Sequence, residues 1–207
     1  LEKGKATFTK RADNYNSDRI RAFVYYKQQR FNESAGAILS AFEHPAGSAQ
    51  DWLVLGISYF MTNQDNQARQ ALSTALQMDP SLKSAKSYLD RLAIRDAENA
   101  LKSKNYAQAR DGFKALLTQR PDDTALQFNL ALAEIGLKNW AAADEILRPL
   151  EPAFSGSFRY HYFRGYVLEN LGKFADAEKV YRKALQINND VQAKEALQRV
   201  LRRMGKK

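Results

Sequence analysis

Three residue positions in this chain recur in one register, and that constrains the fold more than any other feature of the sequence. Small residues stand at Ala22, Gly56, Ala97, Ala131 and Gly165, separated by 34, 41, 34 and 34 residues. A second series, Ser34, Ala68, Ala109, Ala143 and Ala177, follows twelve residues behind with the same spacings. Larger residues, Ile38, Leu72, Phe113, Leu147 and Tyr181, follow four residues behind that. Three positions do not stay in step over five units by chance, so the chain is built from five copies of one supersecondary unit. A unit of this size cannot bury its own apolar face and has to stack on its neighbours.

Each unit reads as two helices. Trp52, Leu55, Gly56 and Tyr59 lie at i, i+3, i+4 and i+7, Asn63-Gln64-Asp65-Asn66 supplies a turn, and Ala68, Leu72 and Ala75 form a second stripe that Pro80 ends. The small residues let two helix backbones approach, and the large ones fill the gaps beside them. No segment shows sustained period-two alternation, so eleven helices and no sheet are expected over residues 15 to 203. The longer interval comes from seven extra residues, 83 to 89. Seven is close to two helical turns, and no Gly or Pro occurs from Ser81 to Lys104, so one helix of about 24 residues is expected there. Gln192 to Arg203 reads as an amphipathic capping helix with Ala193, Ala196, Leu197, Val200 and Leu201 inward. Residues 1 to 14 hold only one large aromatic, Phe8, and are expected to be a flexible N-terminal segment.

Composition removes most catalytic classes. Among 207 residues there is no Cys and only two His, so there is no disulfide framework, no thiolate metal site and little for a His-based one. No G-x-G-x-x-G, Walker loop, G-x-S-x-G or H-E-x-x-H occurs. His44 and His161 fall in different units, and Asp122-Asp123 and Asp144-Glu145 are helix-start or surface acids. The expectation is a protein that is not an enzyme and holds no cofactor or metal. The net charge of +9 belongs to the ends, because residues 1 to 30 and 194 to 207 each carry +5 and the rest −1. A nucleic-acid binder would more often show a basic stripe along its working face. No apolar run of 18 residues occurs, so no transmembrane segment is expected. The chain opens on Leu1 and not Met, which points to a soluble fragment or processed form, cytoplasmic or periplasmic, with the compartment left open.

The unit resembles the tetratricopeptide repeat (TPR). Residues 49 to 82 fill all eight signature positions of that motif with Trp52, Leu55, Gly56, Tyr59, Ala68, Leu72, Ala75 and Pro80. The other units, 15 to 48, 90 to 123, 124 to 157 and 158 to 191, match it less fully, and Asp18, Ala93, Gln127 and His161 replace the signature Trp. The resemblance implies an all-α, right-handed α-solenoid of about five helix-turn-helix repeats, with the helical insertion at 83 to 89 and a capping helix and basic tail over 192 to 207. It also implies that partners bind along the first helices, at the second, fifth, ninth and twelfth positions of each unit. These include Arg19, Phe23 and Tyr26, then Leu53, Ile57 and Phe60, then Arg91 and Ile94, then Phe128, Leu132 and Ile135, and finally Arg159, Tyr162 and Tyr166. Of the Lys and Asn clamp with which chaperone-binding members hold a C-terminal carboxylate, only Asn129 is matched.

An apolar and aromatic groove of this kind suits a partner's amphipathic helix or extended segment. The expected function is therefore a non-enzymatic protein-protein interaction scaffold or adaptor, in an assembly or secretion apparatus. Two alternatives are a structural module that homo-oligomerises through groove or cap, and a helical-repeat RNA binder, which the apolar groove disfavours.

Overall fold

The computed structural model describes residues 16–42 and 47–206. Among them there are eleven α-helices and no strand, as the periodicity requires. The expected flexible segment at 1 to 14 lies outside the described residues. In chain order the helices are α1 (16–27), α2 (Phe31–Phe42), α3 (Ala49–Met61), α4 (Asp65–Met78), α5 (Lys83–Lys102) and α6 (Tyr106–Gln119). They continue with α7 (Thr124–Gly136), α8 (Trp140–Leu147), a 3-10 turn at Arg148–Leu150, α9 (Phe158–Asn170), α10 (Phe174–Ile187) and α11 (Val191–Arg203). The seven extra residues lie inside α5, whose 20 residues are fewer than the 24 expected. Its end is set by Lys104, which turns into the left-handed region at φ 61° while Asn105 N–H bonds back to Ala100 O at 2.8 Å.

That turn is itself periodic. Gln29, Asn63, Lys104, Lys138 and Gly172 all take φ between 58° and 71°, at the repeat's own spacings. At each, the next residue's N–H reaches the carbonyl five residues back, as Gln64 does to Tyr59 and Asn139 to Glu134, both at 2.9 Å. This is the Schellman closure of a helix, and it satisfies carbonyls that the helix end would leave unpaired. Only one of the five positions is a glycine.

The chain falls into two compact units, residues up to Ala93 and residues from Ile94. In the first, Ala22, Ile38, Leu55, Leu72 and Leu92 are fully buried. Helices α1 and α2 meet where Ser34 Oγ donates to Ala22 O at 3.0 Å, which ties together two of the three recurring positions. Helices α3 and α4 meet at Gly56, where a Cβ would lie 2.6 Å from Leu72 Cγ. Helix α3 starts with a capping box between Ser48 and Asp51.

In the second unit Phe113, Ala131, Leu147, Tyr160, Tyr181 and Val200 are buried. A Cβ on Gly165 would lie 2.7 Å from the Tyr181 ring, the same close approach as at Gly56. Helix α11 lays Ala193, Ala196, Leu197 and Val200 onto the cluster around Leu168, Val180 and Tyr181, with Leu201 partly buried beside them. One element departs from the pattern. Helix α8 has 8 residues where α4, α6 and α10 have 14. Pro149 brings no N–H to continue it, and the chain from Arg148 to Ser157 folds as a 3-10 turn and loop instead.

Candidate functional site

The first helices carry the residues on which a partner-binding face was expected, and the structure sorts them into two groups. Leu53, Ile57, Phe60, Phe128, Leu132 and Ile135 are buried at 9 % exposure or less and pack within the chain's own core. Phe128 shows why. Its ring centroid lies 5.2 Å from Phe154 and 6.3 Å from Tyr160, so the loop after the short α8 covers it. The repeat register places such a residue at the fifth position but says nothing of a loop that folds back over it. Phe23, Tyr26, Ile94, Tyr162 and Tyr166 are half-buried, and Arg91 and Arg159 are exposed. Arg19 is engaged within the chain. Its Nε donates to Asp51 Oδ1 at 2.6 Å and its Nη2 to Ser48 Oγ at 3.3 Å.

In the first unit, Tyr26, Phe31, Ile57, Met61 and Tyr88 line a cleft of about 330 Å³. Tyr88 stands edge-on to Phe60 at 5.1 Å, and the Arg91 guanidinium lies over both rings, 4.6 Å from Phe60 and 4.9 Å from Tyr88. In the second unit Arg159 repeats the device, 5.5 Å from Phe128 and 5.8 Å from Phe163. Neither arginine forms an ion pair among the described residues. Each therefore presents a cation held on an aromatic floor, with no carboxylate among the described residues paired to it. Beside Arg159, Tyr162 stacks on Phe158 at 5.9 Å and tilts against Tyr181 at 6.1 Å; burial pushes its phenol pKa up. Aromatic residues were expected on this face, but the arginine-over-ring arrangement was not. It arises because the second position of one unit reaches the twelfth or fifth position of the unit before it.

Two further features were not anticipated. The outer face of α1 exposes Ile20 at 66 % and Val24 at 47 % beside half-buried Phe23, over a shallow apolar depression. A charged cleft of about 380 Å³ lies among α8, α9 and α10 in the second unit. His161 is 2 % exposed, and its Nε2 donates to Ser155 O at 2.8 Å, which anchors the loop after α8. Among the described residues no group of His, Asp and Glu is placed to hold a metal ion, and no helix is long and apolar enough to cross a membrane.

Stacked helical hairpins with a small residue at each close approach, closed by left-handed turns and ended by a polar-faced helix, define an all-α repeat array. Residues 100–165 match one family description of the tetratricopeptide repeat and residues 158–191 another. Residues 100–191 are thus tetratricopeptide repeats, and the chain has the all-α solenoid fold of such arrays. Residues 41 to the end of MamA from Desulfovibrio magneticus RS-1 share the fold at 16 % identity and a TM-score of 0.53, over 86 % of this chain and 96 % of that one. MamA AMB-1 does so at 16 % identity and a TM-score of 0.56, over 86 % and 94 %. The first TPR of Spaghetti (RPAP3), bound to the HSP90 peptide SRMEEVD, matches at 20 % identity and a TM-score of 0.52, over 56 % of this chain and 93 % of that one. At these identities the likeness is one of fold. No curated relative matches the sequence. Fold and repeats together support a protein-interaction scaffold, of a family that is generally non-catalytic.

Proposed function

We propose that this chain is a non-enzymatic adaptor that holds a partner's segment on the exposed aromatic and arginine residues of its first helices. The observation that carries the reading is the pair Arg91 and Arg159, each stacked on rings and each without an ion pair among the described residues. A guanidinium left exposed over an apolar floor suits a partner that brings an apolar side chain with a carboxylate beside it. The cleft between Tyr26 and Tyr88 is large enough for one such side chain. Of the residues expected on these helices, Phe23, Tyr26 and Arg91 form the working set of the first unit, with Leu53, Ile57 and Phe60 in its core, and Ile94, Arg159, Tyr162 and Tyr166 that of the second, with Phe128, Leu132 and Ile135 in its core. That a structure of the same fold holds a peptide supports the reading. An assembly or secretion apparatus as its setting belongs to the same proposal.

The test is affinity capture with crosslinking mass spectrometry, comparing the wild type with Tyr88→Ser/Arg91→Ser. Aromatic anchors often carry ~2 kcal/mol or more each. The variant should lose its partner while its melting temperature falls by only a few degrees. Unchanged capture, or global unfolding, would contradict the assignment. A second reading, homo-oligomerisation, is favoured by the apolar outer face of α1, since α11 at the other end turns Lys194, Glu195 and Arg202 outward. Light scattering across protein concentrations, with Ile20→Lys as the control, would show it.

A further inference from the structure

The charged cleft of the second unit lies outside the face just described. On α9, Arg164 and Leu168 sit about half a turn from Tyr162 and Tyr166 at roughly 100° per residue, so the two surfaces are separate. The cleft exists because α8 stops at Leu147. The loop that follows brings in Arg148 and Glu151, the N-cap of α10 brings Lys173, and α10 itself contributes Lys179 and Lys183.

Its charges do not cancel. Five cations line it against three carboxylates, Asp144, Glu151 and Asp176. Each carboxylate is already held: Asp144 by Lys173 at 2.9 Å, Glu151 by Arg164 at 2.6 Å and Lys183 at 2.7 Å, and Asp176 by Lys179 at 3.4 Å. Lys183 and Arg164 hold the Glu151 carboxyl down to about 2, so it does not shed its charge near neutrality. Arg148 has no ion pair among the described residues, and the buried Nε of Arg164 has no acceptor. Lys173 and Lys183 are about half exposed and free to share a second carboxylate. The cleft therefore keeps an excess of positive charge that an incoming carboxylate would offset.

We infer that this cleft binds an acidic peptide segment through two carboxylate side chains, independently of the first-helix face. The three fixed carboxylates favour a peptide over a nucleic acid. A phosphodiester backbone carries evenly spaced charge and would run over Asp144, Glu151 and Asp176, whereas a peptide can place its acids between them. Lys183 lies ten residues beyond Lys173, the N-cap of α10, about 15 Å at 1.5 Å per residue. An extended peptide spans that with acids four or five residues apart at roughly 3.3 Å each.

The probe is a fluorescein-labelled nonapeptide with two Glu four residues apart among Ser and Ala, titrated against the full chain by anisotropy at low salt. Saturable binding is expected, weakened at least tenfold by Glu→Gln in the peptide and by Arg148→Glu/Lys179→Glu in the protein. Both protein sites are exposed, and the milder Arg148→Ser/Lys179→Ser should lose severalfold. Affinity should also fall steeply as salt rises. Arg91→Ser/Arg159→Ser, which disables the first-helix face, should bind the probe as the wild type does, so the two sites fail separately. Equal binding of the Gln peptide overturns the inference. So does a loss below twofold in the charge-reversed variant, or tighter binding of a single-stranded oligonucleotide of equal charge.

Discussion

Gly56 and Gly165 carry no side chain because none fits. An added Cβ would sit 2.6 Å from Leu72 in one case and 2.7 Å from Tyr181 in the other. Gly56→Leu should therefore cost about 1–3 kcal/mol or more by overpacking, read by urea unfolding. Trp52 is only half-buried against Phe42, at 4.6 Å, so Trp52→Ala should fall near 3 kcal/mol, the low end for a large aromatic. Lys138 pays for a left-handed backbone that glycine adopts freely, and Lys138→Gly should stabilise the chain by about 0.5–1 kcal/mol. The close approaches were legible because small residues recur at fixed spacing. The left-handed turns were not, because Gln29, Lys104 and Lys138 carry no local mark of φ > 0; only their place in the register reveals them. The register places Phe128 toward the groove, yet it lies in the core, since the register cannot show what a loop covers.

Among the elements, α8 shows how a proline changes surface chemistry. By ending the helix at Leu147, it frees a loop that seals Phe128 with Phe154 and sets Glu151 between Arg164 and Lys183. That carboxylate makes stability depend on acid. Its folded pKa of about 2 lies below the unfolded value near 4.3, so its contribution is complete above about pH 5 and is lost as pH falls toward 2. Asp51 acts in the same sense. Burial alone would raise its carboxyl, but hydrogen bonds from Ser48 and the Arg19 guanidinium outweigh it and hold it low. Thermal melts from pH 6 to pH 2.5 should show the melting temperature dropping, with a shallower drop in Glu151→Gln. The capping helix was readable from its stripe of Ala193, Ala196, Leu197 and Val200, because an amphipathic period needs no tertiary context. The charged cleft was not, since it requires three helices to be brought together.

Across the whole molecule, stability is divided between repeats that support their neighbours. Hydrogen exchange on Gly56→Leu should speed up in α3 and α4 while the amides of α9 and α10 keep their rates. Uniform acceleration would mean a single cooperative core. The central claim is that the exposed aromatic and arginine residues of the first helices hold the partner's segment, while the outer surface of α4 and α6 does not. A photo-crosslinking amino acid placed in turn at Tyr26, Tyr88 and Tyr162, and at the exposed second-helix positions Gln70 and Asp111, measures this most directly. The account predicts that one partner is captured from the three tyrosine positions and from neither control. Capture from Gln70 or Asp111 with none from the tyrosines would contradict it.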